Sequence, residues 1–488
     1  MAEREPLSNV DTAWLRMDRP TNLMMICGMM MFADRLSLER VKDVVRARML
    51  CFHRFRQRVI EQGGNAIWET DPEFDLDWHV RHMALPHAAN GRALEEAVSD
   101  LVSTPLDPSR PMWQFHLIDD SAGGSVMVLR IHHCYGDGFA LTHVVACMTD
   151  ADADSPHPPA EDFHANSQRA AWENLLGPVT QAIGGTIRSA QFLYQIGLDW
   201  IAHPAQAFNV AMTGAEVASE AASIALMKPD APTRFKGPLG VMKRAAWAKP
   251  LPLFEVKAIA EAFACSVNDV LIACVAGALR SYLLEQGGTL DDGEVRALVP
   301  VNLRRPGPVT SLGNDFGLVF LGLPLGVADP FARLAEVKKR MTQLKDSRQP
   351  IVSLGILAGM GMVPGAIKEK VLESLAANAS AVITNVRGAA EPRYLGGKRI
   401  TRQIFWVPQS GGIGIGISIL SYAGKIDFGL VTDVKRVPDP RAIVDRFVSE
   451  FEALLLSALL APWPGELSAN SIEAASESRF SDVPNLLK

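Results

Sequence analysis

The sequence predicts an α/β (α+β) fold of two subdomains, each a mixed sheet flanked by helices, joined by a helical linker. Three observations predict it. The chain has 488 residues, beyond the size at which single cores stop growing. Strand and helix patterns alternate through the first 150 residues and resume near Val241. Between those halves the run from Asp150 to Asn166 reads DADADSPHPPAEDFHAN, which is acidic, Pro-rich linker chemistry. The expected boundaries are 1–150, a Pro-rich then helical linker at 151–235, a second subdomain at 236–465 and a polar tail at 466–488.

In the first half, residues 23–32 form a Met-rich apolar strand, and Ser37 caps a helix with the stripe Leu38, Val41, Val45 and Met49. Shorter strands are expected at 55–60, 76–80 and 113–118, with a helix near 91–103 between the last two. A strand at 125–131 follows the turn signal Ala122-Gly123-Gly124, and a helix near 139–148 closes the half. Residues 167–227 are Ala-rich without strand signals and read as a helical connector. The second half offers strands at 241–247, 295–301, 318–324, 381–386, 403–407, 413–421 and 425–431. Its helices are expected near 253–264, 268–286, 331–345 and 441–460.

With 48% hydrophobic and 21% charged residues, the composition is that of an ordered globular protein. The net charge of −6, without any Lys/Arg-rich block, argues against nucleic acid as the principal partner. Cys27, Cys51, Cys134, Cys147, Cys265 and Cys274 lack CxxC spacing and read as reduced cytosolic thiols. No apolar signal segment follows the charged Met1-Ala2-Glu3-Arg4-Glu5. Two uncharged stretches, 349–367 and 403–424, reach membrane-spanning length. Their glycines and prolines favour buried helix-turn or strand-pair segments, so a cytoplasmic protein, soluble or peripherally attached, is expected.

The strand at 125–131 runs into His132-His133-Cys134-Tyr135-Gly136-Asp137-Gly138, an HHxxxDG pattern. Successive side chains on a strand face opposite ways, so His132 and His133 cannot share one cavity. One is expected to act chemically while the other packs or hydrogen-bonds behind it. A neutral imidazole suits proton abstraction from a hydroxyl or amine, because its pKa lies near working pH. Asp137 either accepts the ring's second N–H or braces the loop through an arginine, and Gly138 allows close approach of backbone or substrate. A metal site from His132, His133, Asp137 and His143 is disfavoured by the divergence of adjacent strand residues, so no metal is expected.

The flanking blocks carry a resemblance. They are Leu7-Ser8-Asn9-Val10-Asp11-Thr12-Ala13-Trp14 with Asn22-Leu23-Met24-Met25, then Arg110-Pro111-Met112-Trp113 and Val267-Asn268-Asp269-Val270. Later come Pro300-Val301-Asn302-Leu303-Arg304, Leu312-Gly313-Asn314 and Thr384-Asn385-Val386-Arg387-Gly388. With HHxxxDG, these resemble the bacterial wax ester synthase/acyl-CoA:diacylglycerol acyltransferase family, of the chloramphenicol-acetyltransferase-like fold. Arg387 stands where the family has proline. Asp427-Phe428-Gly429 resembles the DFGWG element of plant-type acyltransferases, but Leu430 replaces its tryptophan and disfavours that subgroup.

The resemblance implies transfer of a fatty acyl group from acyl-CoA, a co-substrate, to a long-chain fatty alcohol or to diacylglycerol, with no bound cofactor. It implies His133 as general base in a direct ternary complex, Asp137 ordering loop and ring, and Asn268 stabilising developing negative charge. Asp269, Asn385 and Gly388 are candidate substrate-binding positions, although Ser266 and Asp269 also fit a capping box. Arg304, Arg305, Lys398 and Arg399 are candidate CoA contacts. The 18 methionines fit a tunnel for flexible acyl chains and fit a Met-rich core equally well. Such substrates imply peripheral binding to the inner membrane or lipid inclusions. The alternatives are a condensation-type synthase acting on a carrier-bound thioester and a non-catalytic lipid-binding inclusion protein.

Overall fold

In a computed structural model of the chain, residues 4–85, 91–119, 123–155, 223–224, 226–290, 295–304, 312–345, 347–362, 376–409 and 411–460 are described. The first half contributes β1 (Arg4–Pro6), α1 (Asn9–Met17), β2 (Met25–Phe32), α2 (Leu38–Val44), β3 (Gln57–Gln62) and β4 (Asn65–Thr70). It continues with α3 (Leu76–His79), β5 (Val80–Ala84), α4 (Gly91–Ser103), β6 (Trp113–Asp119), β7 (Ser125–His132) and α5 (Gly138–Met148). The second half opens with β8 (Lys243–Trp247), β9 (Leu251–Pro252), α6 (Leu253–Ala262), α7 (Val267–Glu285), β10 (Val295–Asn302) and β11 (Phe316–Leu323). Then follow α8 (Pro330–Lys345), α9 (Gln349–Met362), β12 (Ala381–Arg387), β13 (Tyr394–Leu395), β14 (Lys398–Trp406), β15 (Ile415–Tyr422), β16 (Lys425–Asp433) and α10 (Pro440–Leu460). Most of the expected helical connector and the whole polar tail lie outside the described residues.

Two large mixed sheets dominate. One has the order β13-β14-β2-β7-β6-β5; the other has β11-β10-β12-β15-β16-β8, with β9 also on β16. A third, small sheet has the order β1-β4-β3. β7 lies between antiparallel β2 and β6, and all eight of its residues are buried. That explains its nearly unbroken apolar sequence: neither face meets water.

The boundary between the halves is not where sequence order puts it. The strand expected at 403–407 is part of β14, and it pairs with β2 of the first sheet from Ile400 opposite Phe32 to Trp406 opposite Cys27. The Asp427-Phe428-Gly429 run explains how the second sheet holds it. Asp427 accepts from Arg402 of β14 at 2.5 Å, and Phe428 stacks on Phe447 with ring centroids 3.9 Å apart. A methyl group at Gly429 would lie 2.9 Å from Ile404 Cγ2 and 3.1 Å from the Phe405 carbonyl, so only glycine admits the crossing strand.

A second tie uses helix geometry. Ser99 and Ser103, one turn apart on α4, accept the backbone N–H groups of Ala245 and Lys243 on edge strand β8, at 3.0 and 2.9 Å. A helix rises about 6 Å over four residues and a strand about 6.7 Å over two, so the two spacings match. The edge of the second sheet is thereby covered by a helix of the first half.

Two local expectations differ. Residues 76–80 are not a strand: Asp75 accepts from Asp77 N at 2.9 Å and starts the turn α3, and pairing begins only at Val80. Residues 55–60 open as a 3-10 turn, His53–Arg56, before β3. Of the two long uncharged stretches, the first contains α9, and the second divides between β14 and β15 in different sheets. Among the described residues one helix, α7, is long and apolar enough to cross a membrane, and 78% of its apolar window is buried in the fold.

Candidate active site

β7 delivers the histidines, and backbone bonds hold them. His132 N donates to Met112 O at 2.9 Å, and His133 N donates to Met24 O at 2.7 Å. The chain then leaves the strand in a 3-10 turn, His133–Tyr135. His132 caps that turn, its Nδ1 accepting from Cys134 N at 3.2 Å. Since Nδ1 accepts, the proton of the neutral ring sits on Nε2. Burial, then repulsion from His133, drives the His132 pKa down to about 3.

His133 turns the other way. Its ring stacks on Trp14 of α1 with centroids 4.0 Å apart and planes at 13°, and Phe316 of β11 lies tilted 5.8 Å away. Nδ1 is buried and without a partner among the described residues. Burial lowers its pKa to about 4, against opposing pulls from the Asp137 charge, its own carbonyl and the Asn314 side chain. The ring is therefore neutral at physiological pH.

Asp137 does not bond to either ring. Its carboxylate receives Arg304 Nη1 at 2.7 and 2.5 Å, Ala140 N at 2.9 Å as the cap of α5, and Asp315 N at 2.9 Å. Of the two roles open to it, the arrangement is the loop brace. Arg304, expected among CoA contacts, is committed here: it also donates to Gly313 O at 2.7 Å. Of the other CoA candidates, Arg305 lies outside the described residues, Lys398 faces Asp34 at 3.8 Å, and Arg399 is exposed.

Asn314 links the pieces. Its Nδ2 donates to Asp11 Oδ1 and to the His133 carbonyl, both at 2.8 Å. Burial raises the Asp11 pKa, and the Asn314 and Ser8 hydrogen bonds oppose the rise. Asp11, Trp14, Arg304 and Asn314 all fall in the blocks that carried the resemblance, yet nothing in spacing alone marks them as neighbours of His133. Gly138 is the first residue of α5, and a methyl group added there meets no atom within 4 Å, so the glycine leaves open space.

The other candidates form a second group. Ser266 and Asp269 make both bonds of a capping box, at 3.1 and 2.8 Å, which accounts for Asp269 as the start of α7. Asn385 Nδ2 donates to Asn268 Oδ1, joining β12 to α7. Arg387 does not break the strand; it stays paired with Ser421. Gly388 N donates to Ser421 O at 2.8 Å, and a methyl group there would stand 2.6 Å from that carbonyl. Close backbone approach thus accounts for glycine at 388. Among the described residues no three His, Cys, Asp or Glu side chains converge as a metal site.

Two mixed sheets tied by a crossing strand make a fold shared with solved acyltransferase and condensation-domain structures. The first condensation domain of the calcium-dependent antibiotic synthetase has this fold, at 16% identity and TM-score 0.60, over 96% of this chain and all of that one. The wax ester synthase/diacylglycerol acyltransferase from Marinobacter aquaeolei VT8 has it too, at 20% identity and TM-score 0.66, over 93% of this chain and all of that one. Residues 7–271 match the wax ester synthase/diacylglycerol acyltransferase catalytic domain and residues 312–455 the WS/DGAT C-terminal domain. The chain belongs to the wax ester synthase/diacylglycerol acyltransferase family, and it is an acyltransferase of that type. A "Probable diacyglycerol O-acyltransferase" of Mycobacterium tuberculosis is 28% identical over 400 residues, 79% of this chain and 80% of the relative.

Proposed function

We propose that the protein transfers a fatty acyl group from acyl-CoA to the hydroxyl of diacylglycerol or of a long-chain fatty alcohol, with His133 as general base. The observation that carries this reading is the His133 ring: buried, neutral, and with Nδ1 enclosed, so that Nε2 is the nitrogen left for a substrate. Nε2 takes the proton of the acceptor hydroxyl as its oxygen attacks the thioester carbonyl. The tetrahedral intermediate collapses, the carbon–sulfur bond breaks, and the CoA thiolate recovers that proton from the imidazolium. No covalent enzyme intermediate is required.

Asn268 supports the charge balance. Its Oδ1 is occupied by Asn385, leaving the Nδ2 donors without a partner among the described residues and able to meet an oxyanion. The diacylglycerol named in a relative and the wax ester named in the family model support diacylglycerol and fatty alcohols as acceptors, and such lipids support work at a membrane or inclusion surface.

The test is release of CoA thiol from palmitoyl-CoA, with and without diacylglycerol or hexadecanol, for the wild type and His133→Ala. Acceptor-dependent release with the matching ester is expected, and His133→Ala should lower it about 10²- to 10⁴-fold. Folded protein that releases nothing with either acceptor would move the assignment to a carrier-bound donor or to lipid binding. Undiminished turnover by His133→Ala would remove the base.

A further inference from the structure

The contacts around His133 pose a question of orientation. A histidine base is ordinarily held by a hydrogen bond to its second ring nitrogen, often from a carboxylate. Here that carboxylate is spent: Asp137 is bound by Arg304, Ala140 N and Asp315 N. Nδ1 makes no well-formed hydrogen bond to a described residue; its own carbonyl and Asn314 lie near enough to pull on the ring without fixing it. Rotation of the imidazole about its Cβ–Cγ bond is nevertheless restricted, because one face lies flat against the Trp14 indole at 4.0 Å and 13°. Phe316 backs the same stack, 5.9 Å from Trp14 and 5.8 Å from His133.

We infer that Trp14 is a positioning residue for the acyl transfer, fixing the plane of the His133 ring by stacking where a carboxylate would otherwise do so by hydrogen bonding. The inference rests on the reading of His133 as the base.

Three observations make Trp14 fit for this task. It is nearly buried, at 7% exposure, so the stack excludes water from one face of the ring. Its own position is set from both ends of the chain. Ser8 caps α1 through Asp11 N at 3.0 Å, and Asn314 bonds both to Asp11 and to the His133 carbonyl. One amide thereby locks the helix carrying the indole to the backbone carrying the imidazole. Finally, the indole Nε1 is buried without a partner among the described residues. A phenylalanine would make the flat contact without that donor, so the positioning role lies in the flat face of the ring and not in the indole N–H.

The mechanism predicts a separation of effects. A ring free to turn places Nε2 wrongly for part of the time, and misplacement of about 1 Å lowers turnover on the order of 10²-fold. The contact joins two protein side chains, so its loss is expected to act on turnover before donor binding. Opening one face of the imidazole to water also relieves the desolvation that lowers its pKa from 6.5 to about 4.

The experiment compares Trp14→Leu, Trp14→Phe and His133→Ala with wild type in steady-state CoA release across pH 4.5–8, with melting temperatures taken in parallel. Trp14→Phe should keep turnover within about threefold, because a flat ring remains. Trp14→Leu should lower kcat about 30- to 100-fold with the palmitoyl-CoA KM unchanged within about threefold. Its acid limb in kcat/KM should move upward toward 6.5. Wild-type kcat and pH profile in folded Trp14→Leu would overturn the inference. So would equal losses of kcat in the Phe and Leu variants at equal loss of melting temperature, since that marks packing alone. If Trp14→Leu does not fold, Trp14→Met, nearer the indole in volume and equally without a flat face, takes its place: a kcat loss with an acid limb moved upward supports the role, and wild-type kcat and limb overturn it. The His133→Ala arm separates the two readings. Turnover retained there removes the base itself, whereas turnover lost there with Trp14→Leu normal removes only the positioning role.

Discussion

β7 and β12 each end in polar side chains followed by a glycine, Gly138 beyond one and Gly388 beyond the other, yet they use those side chains differently. β7 lies between antiparallel partners and is buried along its length; β12 lies between parallel β10 and β15. At the end of β7 nearly every polar group is committed to the fold. His132 caps a turn, Asp137 is bound by Arg304 and two backbone N–H groups, and the His133 ring alone is held by stacking. At the end of β12 the amides of Asn385 and Asn268 hold each other, with no charge between them. The proposed chemistry falls where a charged frame surrounds one neutral histidine. The end of β12 offers uncharged amides.

Removing the frame should have the largest effect. Arg304→Met leaves the Asp137 carboxylate, 2% exposed, without its counter-charge and should destabilise by about 3–5 kcal/mol, read as a lower urea midpoint. Arg387→Met, at the exposed end of β12, should shift stability by less than about 1 kcal/mol. Equal shifts would erase the distinction between the two ends.

Acid should act on the same end, alongside His116 of β6, which burial also lowers to about 4. His132 and His133 are held near 3 and 4, below the 6.5 of an unfolded histidine. Between those values the unfolded chain binds more protons, so stability rises with pH and is lost as pH falls from 6.5 toward 4. At pH 5.5 the two rings together should cost about 1–3 kcal/mol relative to pH 7.5. His133→Gln should remove its own share of the slope and leave that of His132 and His116, while Asn385→Ala should leave the slope unchanged. A slope that survives His133→Gln in full would place the acid sensitivity elsewhere.

Much of this contrast is legible in sequence. HHxxxDG and the strand leading into it stand out because β-forming residues and a rare polar pattern abut. The capping box at Ser266 and Asp269 is equally legible, since both partners are three residues apart. Arg304 bracing Asp137 is not, because 167 positions separate them and an arginine among candidate phosphate contacts reads the same as one in an ion pair. Trp14 is hidden for a similar reason: an aromatic on a short helix reads as core until the fold sets it against His133. β14 escapes as well. An alternating strand pattern reports that a strand exists, and never which sheet completes it.

The glycines give the finest comparison. At Gly388 an added methyl would stand 2.6 Å from the Ser421 carbonyl, a backbone atom fixed by strand pairing that cannot rotate away. Gly388→Ala should therefore destabilise by about 1–3 kcal/mol while the folded fraction keeps kcat/KM within about threefold. At Gly138 the added methyl meets nothing within 4 Å, and the position opens helix α5, where alanine is tolerated. Gly138→Ala should leave the melting temperature unchanged or slightly raised. If the open space beside Asp137 is where substrate passes, that methyl instead intrudes on substrate, and kcat/KM should fall about tenfold, the discrimination one methyl group commonly gives. Steady-state CoA release and thermal melts on both variants read the two effects separately. Should Gly138→Ala match wild type in both, the space is not part of the substrate path, and close approach at the motif glycine belongs to neither protein nor ligand.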